Sequence, residues 1–273
     1  MSRRSRKKES WRTVWSYAVG AAVVVPLLYT HVSAGMALGL GLALLLLLGK
    51  LLIDESVDRV VSAQDDLFAQ YESREQLNQL LQPRHPLPTT RGHRGSPDFL
   101  LEIQERITAT RPEFVLEASC GLSTIVCAYA LQQLGSGRVV SLEHEAFFAE
   151  ETRRRLDRHG LTDVARVHHA PIVRHVIDGK PWLWYDLTGA ELPPSLDMII
   201  VDGPPHGLQK KARYPALPLL INRLKVGGVL LLDDADRGGE RRSVADWQAR
   251  YPNIRVDWIP LEKGLAVITK LAD

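Results

Sequence analysis

The 273-residue sequence predicts an α/β fold, in which helices cover both faces of a doubly wound and mainly parallel β-sheet. From Ser96 onward, short runs of Val, Ile and Leu alternate with segments of helical periodicity, which is the pattern of successive βα units. Residues 114–124 form the first unit, with a buried strand, a tight turn of small residues and the start of a helix. The next strand ends in an acid, Glu143. In this fold class, ligands bind beyond the carboxyl ends of the strands.

The individual elements follow from apolar periodicity and from the positions of Gly and Pro. We predict strands near residues 113–118, 138–143, 164–169, 197–202 and 227–233. We predict helices over residues 97–109, 122–134, 146–159, 212–224 and 241–250. Pro215 and Pro218 leave the start of the fourth of these helices open. Two further strands, near 254–259 and 264–270, have the pattern of a hairpin.

The first 53 residues have a different character from the rest of the chain. Residues 1–13 are basic, and two nearly uncharged runs within residues 14–53 each approach the ~20 residues that span a hydrocarbon core as a helix. We therefore predict two transmembrane helices joined by a short tip. A signal peptide is the alternative, because a basic start precedes an apolar run, but the second apolar run argues against it. The positive-inside tendency then places both ends in the cytoplasm, at the cell inner (cytoplasmic) membrane.

Residues 54–95 connect the apolar region to the domain predicted for residues 96–273. Residues 54–82 have the spacing of an amphipathic helix, and a Pro-rich linker follows as far as residue 95. This helix either packs on its own domain or pairs two protomers as a short coiled coil. The second alternative predicts a homodimer through residues 54–82.

Composition excludes some classes of function. The chain is 45% hydrophobic and 24% charged, which is ordinary for a globular protein. Five basic residues and one acid give residues 1–10 a charge of +4, so with a total of +2 the remainder carries −2. We therefore expect no nucleic acid as partner, since no basic domain is left to bind it. Cys120 and Cys127 lie on one predicted helix and are expected to be buried thiols rather than a disulfide or a metal site.

The turn after the first strand indicates which ligand binds there. Ser119, Gly121 and Thr124 occupy the spacing of the three glycines that bind a pyrophosphate, which leaves a single glycine. Glu117, on the first strand, adds an anion that would repel a pyrophosphate and suits a cationic ligand. Glu143 is placed to accept hydrogen bonds from ribose hydroxyls. This chemistry favours S-adenosylmethionine, which carries a sulfonium, an amino group and a nucleoside but no phosphate.

The run from Glu117 to Thr124, E-x-x-x-G-x-S-T, resembles motif I of class I S-adenosylmethionine-dependent methyltransferases, in the bacterial branch whose motif reads E-x-G-S-G-x-S-T. The resemblance continues through residues 141–145, 167–171, 199–205 and 227–234, and it covers about residues 96–270. It implies a Rossmann-like sheet that ends in an antiparallel hairpin. The cofactor-binding residues that it implies are Glu117, Ser119, Gly121, Ser123, Thr124, Glu143, His144, His169 and Asp202.

Three acids follow the fourth and fifth strands of the predicted parallel sheet. Asp202, Asp233 and Asp234 would meet at one edge of the sheet, where their repulsion calls for a cation such as Mg²⁺ or Mn²⁺. The arrangement is similar to catechol O-methyltransferase, which implies Asp202 and Asp233 as metal ligands and Asp234 in the position of an amide ligand. Other interpretations are that Asp202 binds the amino acid end of the cofactor, and that Asp233 or Asp234 caps a helix or pairs with a nearby arginine. The candidate arginines are Arg237, Arg241 and Arg242.

The catalytic base is less defined than the cofactor motif. The lysine found in these relatives three positions after the first acid is replaced by Pro205. Among His206, Lys210 and Lys211 nearby, we favour His206, because histidine titrates near neutral pH. We therefore predict Asp202 and His206 as catalytic residues. The aromatic residues Trp182, Trp184 and Tyr185 either line an acceptor pocket or pack in the core.

The resemblance and the apolar N-terminal runs together predict a membrane-anchored S-adenosylmethionine-dependent methyltransferase with its catalytic domain in the cytoplasm. We expect O-methyl transfer, with divalent-metal assistance from the three acids. The expected acceptor is a small molecule or a lipid-linked molecule at the bilayer. The alternative is a non-catalytic membrane scaffold with a degenerate methyltransferase-like domain, which Ser119 and the missing lysine motivate.

Overall fold

The structure is a computed structural model that describes residues 34–89 and 95–273. It divides into two compact units, one ending at Phe68 and the other comprising Ala69–Asp273. The first helix, α1, spans Ala34–Leu81 without interruption, so it runs through the boundary predicted at residue 53. No proline occurs between residue 34 and Pro83, and the helix ends just before that residue.

The predicted transmembrane hairpin is not found in the described part of the chain. None of the described helices combines the length and the apolar character needed to cross a membrane. The basic segment 1–13 and the first predicted span, residues 14–32, lie outside the described residues.

The second unit consists of alternating strands and helices. The helices are α2 (Pro97–Thr110), α3 (Leu122–Leu134), α4 (Ala146–His159), α5 (Ala216–Leu220) and α6 (Gly238–Arg250). The strands are β1 (Phe114–Ala118), β2 (Arg138–Glu143), β3 (Ala165–His169), β4 (Ile172–Ile177), β5 (Lys180–Tyr185), β6 (Leu196–Val201), β7 (Leu224–Leu232), β8 (Ile254–Ile259) and β9 (Leu265–Lys270).

Seven strands form the main sheet in the order β3-β2-β1-β6-β7-β9-β8. The first five are parallel, and β9 runs antiparallel to both β7 and β8, which confirms the predicted fold class and the terminal hairpin. The strand order reverses between β1 and β6. This switch point is where a doubly wound sheet binds its ligand.

Two elements differ from the prediction. The antiparallel hairpin of β4 and β5, whose two-residue turn is Asp178-Gly179, was not predicted. Both turn residues have positive φ, 51° and 71°, which is the geometry that an Asp-Gly pair favours in a hairpin. The helix predicted over 212–224 is also wrong in extent: only Ala216–Leu220 is helical, between Pro215 and the early start of β7 at Leu224.

The core lies on both faces of the main sheet. Val115, Met198 and Leu231 pack on one face with apolar residues of α2 and α3. Leu116 and Ile199 point to the opposite face, where the β4–β5 hairpin, α5 and α6 cover the sheet. Since both faces are buried, the carboxyl edge of the parallel strands is left to form a site.

Candidate functional site

The turn after β1 approaches neighbouring backbone closely. Ser119 has a φ of +132° and Gly121 a φ of +140°, and the Ser119 N–H donates to the Leu142 carbonyl at 3.0 Å. Glycine is favoured at such φ values, so Ser119 keeps the geometry of the turn at some cost in strain. A Cβ on Gly203, in the loop after β6, would lie 3.1 Å from the Ser119 Cβ. The serine therefore narrows the space between the two loops.

Glu117 lies on β1, directly before this turn, and is fully buried. Its Oε2 accepts hydrogen bonds from the Thr124 hydroxyl at 2.6 Å and the Ser141 hydroxyl at 2.5 Å. Thr124 Oγ1 also accepts the Gly121 N–H at 3.0 Å, which links the acid to the start of α3. Burial raises the pKa of Glu117 to about 7, against the opposing effect of the hydroxyl hydrogen bonds. Ser123, on the same helix turn, is also buried.

The ends of β2 and β3 bring together the other predicted cofactor residues. Glu143 is nearly buried, and its Oε1 accepts the Glu145 N–H at 2.9 Å and lies 2.8 Å from Nδ1 of His144. His169 is exposed at the end of β3, with its Nε2 3.2 Å from the His144 carbonyl oxygen. Glu143 therefore has the position of the predicted ribose acceptor, one strand away from the β1 turn.

Asp202 follows β6, and Asp233 and Asp234 follow β7, at the same edge of the sheet. Each offers one carboxylate oxygen, and these oxygens lie within 4.8 Å of one another, so the predicted convergence of the three acids is confirmed. Burial raises the pKa of Asp202 and of Asp233, and the neighbouring carboxylates raise them further. The guanidinium of Arg213 acts in the opposite direction on both.

Arg213 is the residue of this site that the sequence analysis missed. It is 3% exposed and lies in the loop between β6 and α5. Its Nη2 donates to the Asp202 carbonyl at 2.7 Å, to Asp202 Oδ1 at 3.0 Å and to Asp234 Oδ2 at 2.8 Å. Its Nη1 donates to the Asp233 carbonyl at 2.7 Å. No local motif marks such a residue, because its partners are more than ten residues away along the chain.

A second arginine offsets more of the negative charge of this cluster. Nη1 of Arg237 lies 2.8 Å from Asp234 Oδ2, as one of the sequence alternatives expected. Arg241 pairs instead with Asp236. Burial alone would lower the pKa of Arg213, but Asp202 and the two acids after β7 raise it, so it stays a cation.

These residues do not fit a resident divalent ion as the sequence predicted. Carboxylate oxygens suit Mg²⁺ or Mn²⁺, and Asp233 Oδ2 has no hydrogen-bond partner among the described residues. However, Asp202 and Asp234 each already bind the guanidinium of Arg213, and Asp234 binds Arg237 as well. A guanidinium in a protein is not deprotonated, so it would have to move away to admit a second cation.

The predicted catalytic base is not brought to the acids. His206 is exposed in the loop after β6, and no hydrogen bond or ion pair of the described residues joins it to the carboxylates of this site. Lys211 forms an ion pair with Asp246 and lies 5.5 Å from the centre of the Tyr214 ring. Neither side chain therefore takes the place of the relatives' lysine in this conformation.

The aromatic residues on β5 differ in burial. Trp184 is fully buried in the core, whereas Trp182 is partly exposed and packs on Tyr214 at a ring distance of 4.6 Å. Tyr185 is buried, and its hydroxyl lies close to Gly203, where an added Cβ would be 2.2 Å away. Its ring meets the edge of His144 at 6.0 Å. Tyr185 thus separates the loop after β6 from the Glu143 side of the site.

The two cysteines differ in position from the prediction, because α3 begins at Leu122 and Cys120 lies before it. Cys127 is buried, and Cys120 is partly buried, with its Sγ 3.1 Å from the Thr152 hydroxyl. Burial raises the pKa of both thiols well above the ordinary value, so neither is a reactive thiolate.

Comparison with known proteins agrees with this geometry. Residues 118–235 match the sequence model of the family described as "Methyltransferase domain". The matched segment runs from the end of β1 to the residue after Asp234, so it includes the turn, Glu143 and the three aspartates. No curated protein sequence matches the chain.

Solved structures share the fold at low sequence identity. PaMTH1, an SAH-bound methyltransferase of Podospora anserina, is 17% identical, with 80% of this chain and 96% of that chain covered and a TM-score of 0.54. A methyltransferase of Geobacter sulfurreducens is 17% identical, with 79% and 96% covered and a TM-score of 0.52. An O-methyltransferase of Bacillus cereus in complex with SAH is 19% identical, with 73% and 90% covered and a TM-score of 0.50. The chain therefore has the fold of these methyltransferases, and its residues 118–235 resemble the methyltransferase-domain family.

Proposed function

We propose that this protein transfers a methyl group from S-adenosylmethionine to an oxygen nucleophile. The observation that carries the proposal is the arrangement at the switch point of the sheet. The β1 turn, Glu143 and Asp202 lie at the carboxyl ends of β1, β2 and β6, where a nucleoside-containing ligand binds in this fold class. The SAH-bound relatives of the same fold, one of them an O-methyltransferase, support the choice of cofactor and reaction.

When bound, the cofactor supplies a methyl group on a positively charged sulfur, which is already a good electrophile. The contribution of the chain is therefore mainly alignment of this group with the acceptor oxygen. Glu143 would accept hydrogen bonds from the ribose, and the β1 turn at Ser119 and Gly121 would let the backbone approach the ligand. Asp202 would bind the amino acid end. In the transfer the O–C bond would form as the S–C bond breaks, and the proton of the acceptor would pass to water.

The proposal includes no resident metal ion. Arg213 and Arg237 already bind two of the three acids that would coordinate it. This distinguishes the reaction proposed here from the metal-assisted transfer that the sequence resemblance implies.

We also propose that the N-terminal region associates with the cytoplasmic membrane and brings the enzyme to a small-molecule or lipid-linked acceptor there. Apolar side chains along α1 are exposed from Met36 to Ile53, including Leu38 at 76% and Leu45 and Leu46 at 67%. An exposed apolar surface of this kind favours a lipid or protein partner. Membrane fractionation of cells that express the full chain tests this, and full recovery in the soluble fraction would contradict it.

The exposed apolar side chains continue along α1, which supports pairing of two chains through residues 54–82. Val57, Val60 and Val61 are exposed, as are Leu67 and Phe68. Sedimentation of the full chain in detergent tests the homodimer, and a monomer at all concentrations would contradict it.

The experiment that tests the enzymatic proposal is calorimetric titration of SAH into the full chain in detergent micelles. Saturable binding with one site per chain is expected. The matched controls are Glu143→Ala, which removes the ribose acceptor, and Glu145→Ala, an exposed neighbour that the proposal gives no role. Failure of the folded wild type to bind would favour the non-catalytic scaffold instead.

A further inference from the structure

Arg213 joins the ends of two strands that border the proposed site. One guanidinium nitrogen bonds the carbonyl and the carboxylate of Asp202 after β6, together with the carboxylate of Asp234. The other bonds the carbonyl of Asp233 after β7. Because the guanidinium is planar and rigid, it fixes the separation and direction of both strand ends at once.

The same side chain also offsets part of the negative charge of the aspartate cluster. Three aspartates meet here, and the cations bound to them are Arg213, which is buried, and Arg237, which is partly exposed. Two other charged groups act on the cluster from neighbouring elements: Glu240 of α6 on Arg213, and Lys263 of the β8–β9 turn on Asp202. A divalent ion placed among the aspartates would lie within a few ångströms of two guanidinium groups and be repelled by both.

We propose that Arg213 is a positioning residue of the methyl-transfer site and takes the place that a divalent ion holds in metal-assisted relatives. This rests on the proposed function. The guanidinium holds Asp202 in the orientation in which it meets the amino acid end of the cofactor. Cofactor binding and transfer are then independent of divalent ions, and removal of the guanidinium converts the three aspartates into an ion site.

The type of side chain matters as well as its charge. A lysine would carry the same charge but would donate from a single nitrogen, so it would not reach the Asp233 carbonyl and the Asp202 carboxylate with the geometry of the fork. Arg213→Lys is therefore expected to retain the exclusion of metal ions and to lose part of the SAH affinity. Arg213→Ala is expected to lose both.

The test measures Mn²⁺ binding by electron paramagnetic resonance, from the loss of the free-ion signal, and SAH binding by calorimetry. It uses the full chain in detergent micelles, with and without EDTA. The wild type is expected to bind SAH equally in both conditions and to bind no more Mn²⁺ than Asp233→Asn. Arg213→Ala is expected to bind SAH at least about ten times more weakly and to acquire saturable Mn²⁺ binding that restores part of the affinity. Arg223→Ala is the matched control, since Arg223 binds a backbone carbonyl, that of Pro193, away from the site.

Two outcomes would overturn the proposal. One is stoichiometric Mn²⁺ binding by the wild type that is lost in Asp233→Asn. The other is a folded Arg213→Ala protein whose SAH affinity is unchanged, or is reduced with no response to Mn²⁺, since a merely structural role predicts the latter. If Arg213→Ala does not fold, Mn²⁺ and SAH binding by the wild type and by Arg213→Lys still test the proposal. Absence of SAH binding by the wild type in every condition would instead count against the proposed function itself.

Discussion

The β1 turn and the β6–β7 edge both bury carboxylates, but different groups stabilise the carboxylates in the two regions. At the β1 turn, the hydrogen-bond donors to Glu117 are the neutral hydroxyls of Thr124, Ser141 and Ser123. At the β6–β7 edge, the aspartates meet the guanidinium of Arg213. Hydroxyl donors stabilise a carboxylate less than a cation does, so Glu117 is left with a pKa raised by burial to about 7. The first region is therefore pH-sensitive near neutrality, whereas the second depends mainly on the buried cation of Arg213, with the partly exposed Arg237 beside it.

The largest effect should come from removing that cation. Arg213→Leu leaves the buried aspartates without their partner, and breaking a buried pair in this way costs about 3–5 kcal/mol. We expect a fall of this size in the free energy of unfolding, measured by urea denaturation. Arg237→Leu is the matched control, because Arg237 binds the same Asp234 oxygen from a position that is 39% exposed. Its loss should lower the free energy of unfolding by about 1 kcal/mol or less. Equal effects for the two arginines would contradict the idea that the buried one stabilises the aspartates more.

Glu117, the buried acid at the β1 turn, should make the free energy of unfolding depend on pH. The pKa of Glu117 is raised in the folded protein from an ordinary value of 4.5 to about 7, so the folded state holds a proton that the unfolded state releases between these values. The stability from this group is complete below pH 4.5 and is lost as the pH rises through about 7. Glu117→Gln removes this dependence, and the difference from wild type should grow over that window by at most about 3 kcal/mol.

The measurement is urea denaturation of both proteins between pH 4.5 and pH 8. Glu105→Gln, an exposed substitution on α2, is the control and should run parallel to wild type. A Glu117→Gln curve that also runs parallel to wild type would mean that the hydroxyls compensate Glu117 as fully as Arg213 compensates the aspartates.

The two regions also differ in how far the sequence predicted them. The β1 turn is a local motif: Glu117, Gly121 and Thr124 lie within eight residues, so their spacing along the chain already determines their arrangement. The meeting of the aspartates was predictable too, because parallel strands end at one edge of the sheet. Their cation was not, because Arg213 lies in a loop without periodicity and reaches its partners only through tertiary structure.

The other differences between prediction and structure are explained by local features of the chain. The β4–β5 hairpin was missed although Asp178-Gly179 is a strong local turn signal that the sequence analysis did not use. The shortening of α5 follows from Pro215 and Pro218, which had been noted. The boundary at residue 53 had no local breaker to support it, and α1 passes through it.

A third prediction concerns Glu143, which is nearly buried and near the β1 turn. Hydrogen bonds to a charged group contribute about 1.5–3 kcal/mol, so Glu143→Ala should weaken SAH binding about 10- to 100-fold. Calorimetry of SAH binding checks this, with Glu145→Ala expected to bind as the wild type does. Loss of affinity in both variants would place the effect in the loop before α4 rather than in the ribose contact.

The smallest effect is expected from relieving the backbone strain at Ser119 in the β1 turn. Ser119 has a φ of +132°, a value that glycine adopts without strain. Ser119→Gly should therefore relieve about 1 kcal/mol of strain and open the gap to Gly203. We expect a more stable protein that binds SAH as tightly as the wild type or up to about fivefold more tightly. Ser119→Ala keeps the Cβ and should show neither gain, so an equal improvement in both variants would trace the effect to the hydroxyl and leave the backbone strain without consequence.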